Sequence, residues 1–373
     1  MNLLDRYIAR QYLVNIVILF VVLLGLVITI DTAYNLDKYA RAAAEAAKLS
    51  ASLDNPLGRA WLTLVAIVNF WWPFVLYLFS SLLGLILVGA MGFTLTQMVR
   101  HRELVAVVAS GQSLHRIARP ILIVALALSA LSLANQELVI PRIAPLLARD
   151  KDRVSTTLTA QSLPLTADSE GRVFYARVYN PQRETLDGVY IAERDIDTGL
   201  ATREIVASRA AWRDGGWDLE SPQLLTGKGA APARVETSLG PLSIKVLLYR
   251  AYSNTLSTGQ ALWVYRQVAS TGARTEQASA VMDQMIRVGV GRISALLTSL
   301  VALIISMCFF LTREPVNMFV RALKAAPIGF GGLVGGALTK ATLVPGLPAV
   351  ASVFIPVIVL TPVAVAMWYR VRT

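Results

Sequence analysis

One acid, Glu103, stands in a stretch of otherwise basic side chains. Arg100, Arg102, Arg116 and Arg119 surround it, with His101 and His115 in the same stretch. Residues 97–112 read as a helix, on which Glu103, Ala106, Val107 and Ser110 fall at i, i+3, i+4 and i+7. That stripe presents one carboxylate beside small and apolar residues. The carboxylate suits two jobs. It can pair with Arg100 or Arg102 on its own short helix, worth about 0.5 kcal/mol or less, or it can enter a basic groove on another protein. Spacing alone favours the pairing on its own helix. Little other chemistry is written in the chain. Gly227-Lys228 is followed by Gly229 and has Pro222 where a phosphate-binding G-x-x-x-x-G-K-[ST] loop needs its first glycine. There is no G-x-S-x-G and no H-E-x-x-H. Two histidines and a single cysteine, Cys308, are too few for a dedicated metal site, and Cys308 has no partner for an intrachain disulfide. The sequence therefore speaks against an enzyme. It points to a chain that binds, conducts or transmits force on energy supplied by a partner.

The elements that must position Glu103 follow from composition. With 55% hydrophobic and 16% charged residues in 373, the chain lies far from the soluble average of about 25% charged. Uncharged runs at residues 13–30, 120–136, 293–312, 325–339 and 348–367 read as membrane spans. The run 61–98 is long enough for one long span or two short ones. Trp71-Trp72-Pro73 reads as an interfacial belt followed by a helix start, which makes residues 73–93 a single crossing preceded by an interfacial helix. Six transmembrane helices result. The first run lacks a small-residue cleavage site directly after it, so it is not read as a cleaved signal peptide.

Charge placement supports this count. With the N-terminus inside, the inner segments hold Arg6, Arg10, Arg100, Arg102, Arg116, Arg119, Arg313, Arg321, Lys324, Arg370 and Arg372 against Asp5, Glu103 and Glu314, a net of +8. The rest of the chain contributes +3 of the total +11. The positive excess falls on the cytoplasmic side, as membrane topology requires. Splitting the 61–98 run in two would place the arginines around His101 outside.

Between the third and fourth spans the composition changes. Residues 172–179, 188–192 and 205–212 are β-type segments, separated by turn signals at Asn180-Pro181, Asp197-Thr198-Gly199, Asp214-Gly215-Gly216 and Gly240-Pro241. The spacing suggests an antiparallel β sandwich or jelly roll of about 100 residues. An odd number of spans precedes it, so it faces away from the cytoplasm. The expected architecture is a transmembrane half over 1–149, a periplasmic β-jelly-roll domain over 150–271 and a second transmembrane half over 272–373, three spans on each side.

At this point the chain resembles the LptF/LptG (YjgP/YjgQ) permeases of the lipopolysaccharide export machine. Leu4-Asp5-Arg6-Tyr7-Ile8 resembles the start of the LptG member. Arg102-Glu103-Leu104-Val105 with Ala109-Ser110-Gly111 is similar to the family's coupling segment. Ala207-Ser208-Arg209-Ala210 with Trp217-Asp218-Leu219 is similar to its last jelly-roll repeats, and Gly346-Leu347-Pro348 with Pro356 to the approach to its last span. The resemblance implies a subunit of an ABC-type complex in the inner membrane that extracts lipopolysaccharide and passes it to a periplasmic bridge. It implies a homologous permease partner, an LptB-like ATPase dimer that binds ATP and Mg, and LptC-like and LptA-like bridge proteins. This chain itself would hold no cofactor. Glu103, with Arg102, Leu104, Ser110 and Gly111, would then contact the ATPase. The family's first span often carries a basic residue at its outer end where this chain has Asp31, so Lys38 and Arg41 are the nearest lipid-phosphate candidates. The family's fourth span often starts with a proline, where this chain has Gly291-Arg292-Ile293-Ser294.

Several residues carry two readings. Arg287 and Arg292, at the outer start of the fourth span, either contact lipid phosphate or anchor a helix end. Lys340 either meets an anionic headgroup or snorkels to the interface. Gly331, Gly332, Gly335 and Gly336, within a glycine-rich fifth span, permit a gate hinge or close helix packing. Phe174, Ala176 and Val178 share one strand face by the period of two and are candidates to line a lipid conduit. Two rival functions remain: a membrane-anchored periplasmic sensor or assembly scaffold, and a transporter of another amphiphile such as a lipoprotein. No feature suggests nucleic-acid binding. The topology is testable by cysteine labelling in a Cys308→Ala background. A cysteine at Gly199 should label without breaching the inner membrane; labelling only after breach would defeat the topology.

Overall fold

The computed structural model describes residues 3–48, 55–147, 161–167, 172–180, 183–194, 201–214, 216–227, 229–236, 253–270, 276–311, 334 and 347–370. Helix α1 runs Leu3–Lys48 and bends at Asn35, whose φ of −120° and ψ of 17° leave the helical region. Helix α2 runs Pro56–Arg100, α3 Glu103–Ala109 and α4 Leu114–Ala134. A π-helical turn, Asn135–Val139, leads into α5, Ile140–Leu147. Seven strands follow: β1 Gln161–Ala167, β2 Val173–Asn180, β3 Thr185–Arg194, β4 Ala201–Arg213, β5 Gly216–Glu220, β6 Gln223–Thr226 and β7 Arg234–Glu236. The chain then returns to helix in α6, Thr258–Ser270, α7, Glu276–Phe310, and α8, Ala349–Arg370.

Among the described residues, five helices are long and apolar enough to cross a membrane: α1, α2, α4 continued through the π turn, α7 and α8. Three of them precede the sheet. Apart from Val334, the expected fifth span at 325–339 lies outside the described residues, as do the loop 313–324, the glycines Gly331, Gly332, Gly335 and Gly336, and Lys340. The 61–98 run forms one helix, as read from charge. The interfacial helix ending at Pro73 does not exist as a separate element, because α2 continues through Pro73. Proline cannot donate to the carbonyl four residues back. Here the aromatic rings around it hold the helix together: Phe70 stacks on Phe74 at 5.1 Å and meets Tyr39 edge-on at 5.9 Å. At 1.5 Å per residue α2 is about 68 Å long, more than twice the ~30 Å hydrocarbon layer.

The chain forms two compact units, one of residues Met1–Asp31, Val75–Leu138 and Gly289–Thr373, the other of Thr32–Phe74 and Val139–Val288. In the first, Ile8, Tyr12 and Ile16 of α1 bury one face at four-residue spacing. Leu83, Leu87, Met91, Leu95 and Met98 of α2 do the same, with Ile117, Ile121 and Ala125 of α4 and Leu303, Met307 and Phe310 of α7. A Cβ on Gly89 would lie 2.8 Å from Leu19 Cδ2, so the α1 side chains approach α2 closely at that point. The opposite face of α1, with Val17, Val21, Val22 and Leu26, is exposed apolar surface suited to lipid. Cys308 is buried, as expected of a small apolar residue.

In the second unit the described strands form one antiparallel sheet in the order β1-β2-β3-β4-β5-β7, with β6 pairing β4 beside β5. The antiparallel reading thus holds as a single seven-stranded sheet. Residues 258–270, inside the stretch read as β, are helical. Ser257 caps α6 in a reciprocal box: its Oγ accepts from the Gln260 N–H at 3.1 Å, and Gln260 Oε1 accepts from the Ser257 N–H at 2.9 Å. Ala261 and Val264 of α6 then pack on Val281 and Met285 of α7.

The sheet's alternation changes phase along its length. Phe174 and Ala176 of β2, Ile191 and Val189 of β3, and Ile205 and Ala207 of β4 are buried together. Beyond the row Val178–Asp187–Arg209 the buried residues are Tyr179, Leu186 and Ala210, three positions on rather than two or four. A regular strand would place those two sets on opposite faces. Gly188, at φ +63°, supplies the irregular backbone in β3. Val178 therefore departs from the expected shared face. It lies half-buried at the transition, while Tyr179 takes the inward position. Burial, and secondly the Glu184 carboxylate, pushes the Tyr179 phenol up to about 12, so it stays neutral. The Arg209 guanidinium closes the outer side of the transition on Asp187 at 2.8 Å. Gly188→Ala should cost about 1–2 kcal/mol through the left-handed backbone alone, and the new Cβ would also meet Arg177 Cβ at 3.2 Å. Thermal unfolding of the purified full-length protein, followed by proteolysis of the β domain, should show the loss. An unchanged transition would mean the backbone here is not held as described.

Candidate functional site

Glu103 opens α3, a helix of seven residues bracketed by two left-handed residues. Arg102 at φ +60° ends the turn out of α2 and accepts the first α3 hydrogen bond, from the Ala106 N–H at 3.1 Å. Gly111, at φ +78°, stops the helix. The Gln112 N–H reaches back to the Val107 carbonyl at 3.4 Å, and Ser110 Oγ donates to the same carbonyl at 2.7 Å. This is the six-to-one closure that favours glycine at the position after the cap. Ser110 and Gly111 therefore have a backbone reason to be where they are. So short a helix has too few internal bonds to stand alone, and Leu104 anchors it by burying beside Leu114 and Ile117.

The expected stripe is divided by this anchoring. Leu104, with Val107 against it, faces the helical core. Val105, Ala106, Ala109 and Ser110 are exposed, with His101, Arg102 and Gly111 at the rim. Glu103 is half-buried between the two faces. Its Oε1 accepts from Tyr7 Oη at 2.9 Å in an exposed bond, while Oε2 is buried with no hydrogen-bond partner among the described residues. Neither Arg100 nor Arg102 pairs with it among the described residues, so the helix-internal salt bridge is not formed.

The helix behind Glu103 is tied to α1 by a polar seam. Gln11 Nε2 donates to Gln97 Oε1 at 3.0 Å, Asn15 Nδ2 to Thr94 Oγ1 at 2.9 Å, and Tyr12 Oη to the Leu87 carbonyl at 3.0 Å. Tyr7, Gln11 and Asn15 fall at i, i+4 and i+8. The polar stripe that Gln11 and Asn15 extend toward the apolar middle of α1 was the signal available for this seam.

A second polar cluster sits at the π turn. Asn135 Nδ2 donates to the Leu76 carbonyl and to Ser80 Oγ, both at 2.8 Å. Arg292 Nη1 pairs with Glu137 Oε1 at 2.6 Å and donates to the Gln136 carbonyl at 3.3 Å. Arg292 is not at the start of a helix but sixteen residues inside α7, with its side chain 7% exposed against 27% for Glu137. Arg287, on the same helix, is half-buried. Lys38 is half-buried and Arg41 exposed on α1. Phe174 and Ala176 lie in the β-domain core. His115 meets the Trp368 ring edge-on at 4.7 Å. Among the described residues no group of His, Cys, Asp or Glu is placed to hold a metal ion.

The family profile described as lipopolysaccharide export system permease LptF/LptG matches residues 6–370, nearly the whole chain. The chain belongs to the LptF/LptG family. No curated protein sequence matches it significantly. As an LptF/LptG permease it is a multi-pass membrane protein of lipopolysaccharide transport, and the crossing helices and antiparallel sheet are the parts of that permease described above. The segment that resembles the family's coupling motif coincides with α3 and its two left-handed ends.

Replacing one member of the Arg292–Glu137 pair leaves the other charge in a mostly buried place. The cost should be about 2 kcal/mol, between the values for an exposed and a fully buried pair. Glu137→Ala and Arg292→Ala should each lower the thermal stability of the detergent-solubilised protein, and the double variant Glu137→Leu/Arg292→Met should recover most of the loss. If both single variants melt as the parent does, the pair is not structural.

Proposed function

We propose that this chain is one permease of an ABC-type complex that extracts lipopolysaccharide from the inner membrane. In this reading it pairs with a homologous permease, and an LptB-like ATPase dimer binds ATP and Mg on the cytoplasmic side. The termini and α3 face the cytoplasm, and the β domain within 150–271, flanked by the membrane halves 1–149 and 272–373, faces the periplasm. There it hands lipid toward LptC-like and LptA-like bridge proteins. The observation that carries this reading is the family match over residues 6–370. The exposed Val105, Ala106 and Ala109 beside Glu103 support α3 as the ATPase contact, because small side chains let a groove close over the helix while the carboxylate meets a basic group.

The need for such an assembly follows from the cargo. Exposing one acyl chain of about 13 methylenes to water costs on the order of 10 kcal/mol at about 0.8 kcal/mol per CH₂. A lipid with several chains must therefore travel between apolar surfaces, first among the spans and then along the β domain. Phe174 and Ala176 are the conduit candidates on this path. Lys38, Arg41, Arg287 and Lys340 remain the phosphate candidates and the 331–336 glycines the gate candidates. We assign Arg292 instead to holding the π turn.

The coupling site is tested in vesicles holding the reconstituted complex. Glu103→Ala should weaken ATPase binding and lipid release by roughly 2–5 kcal/mol of interface energy, against at most about 1 kcal/mol for Arg100→Ala. Glu103→Lys should be worse than alanine, since repulsion is added to the missing attraction. Full ATPase binding and lipid release by Glu103→Lys would remove the coupling role from this helix.

A further inference from the structure

We infer that Tyr7 is a positioning residue for Glu103, holding its carboxylate in the one orientation that the ATPase contact uses; the inference rests on the coupling reading above. The phenol comes from the first turns of α1, 96 residues away in sequence, and donates to Glu103 Oε1 at 2.9 Å. Tyr7 is 46% exposed, so packing alone does not demand an aromatic ring there. What the ring carries is the hydroxyl.

The choice of a phenol has a chemical reason. A lysine or arginine at this place would neutralise Glu103 within its own chain and leave nothing for a partner. Tyrosine donates one hydrogen bond and no charge. It occupies one lone pair of Oε1, leaves the other, and leaves the negative charge intact. With Oε2 buried, the carboxylate edge at Oε1 is the side open to an approaching cation. A free glutamate would have to give up rotamer freedom on docking. Here Tyr7 has already fixed it, and Tyr7 is fixed in turn by the seam that ties Gln11 and Asn15 to Gln97 and Thr94.

The test measures the affinity of the LptB-like ATPase for the reconstituted permease pair, titrated in nanodiscs. Tyr7→Phe is introduced both into the parent and into a Glu103→Asp background. Aspartate keeps the charge and withdraws it from the phenol by one methylene. Tyr7→Phe should weaken binding roughly 5- to 10-fold in the parent, the loss of a hydrogen bond to a charged group at a partly exposed site. In the Glu103→Asp background it should change affinity by under about twofold, because the bond is already gone. Parent-like affinity of Tyr7→Phe, or an equal loss in both backgrounds, overturns the inference, since a purely structural hydroxyl would act regardless of residue 103. Glu103→Lys in the same titration separates the two failures. If it binds fully, the coupling reading falls and this inference with it; if it binds weakly while Tyr7→Phe binds as the parent does, only the positioning role falls.

Discussion

A bilayer core contains no water to pair with polar groups, and apolar helices gain nothing by leaving apolar lipid for one another. Helices in that setting need something other than the hydrophobic effect to choose partners. In this permease the choice is made by a few interhelical hydrogen bonds and close approaches. Asn15 and Tyr12 bind α1 to α2, Asn135 binds the end of α4 to α2, and Ser294 Oγ donates to the Val353 carbonyl at 2.6 Å to bind α7 to α8. Gly89 and Gly92 let Leu19 and Phe310 come near the α2 backbone. The apolar faces fill in around these fixed points.

The π turn at Asn135–Val139 belongs to the same economy of polar groups. Three consecutive residues there, Asn135, Gln136 and Glu137, each face a partner on another element or a preceding turn. Widening the helix by a residue lets side chains that an α-helix would spread around its axis reach their partners. The buried Arg292 is what a positive charge at that depth requires: a carboxylate and a backbone carbonyl within reach.

Much of this was legible in the sequence, and the limits are physical. Uncharged runs and the placement of arginines showed the crossing helices, because hydropathy and charge bias are summed over many residues. Strand segments 188–192 and 205–212 fell inside β3 and β4, and 172–179 matched β2 to within one residue, because β-type residues between turn signals mark strands. The Pro73 boundary failed because a proline's local preference was outweighed by the packing of Phe70 and Phe74 on α2 itself and of Tyr39 on α1. The Ser257-to-Gln260 box of α6 was readable as S-x-x-Q but was submerged in a stretch whose turn signals favoured β. At the site, Glu103 was visible as an odd charge, and the backbone demand for Gly111 was implicit in its motif. Its partner Tyr7 was not, because a contact spanning 96 residues leaves no local pattern. Arg292 offered only a phosphate contact or a helix-end anchor for the same reason: Glu137 lies 155 residues away.

The phase change across Val178, Asp187 and Arg209 constrains how this sheet can diverge in sequence. Its interior is spelled in one alternation on one side of that row and in the other alternation beyond it. A one-residue deletion inside β3 near Gly188 would thus leave one half of the strand in frame and turn the other half inside out, presenting Tyr190 in place of Val189 or Thr185 in place of Leu186. Neighbouring β2 and β4 change phase at the same row, so no shift in a single strand could restore the match. Length variation is tolerable only in the loops between strands, and the transition row behaves as a fixed reading frame for the whole domain.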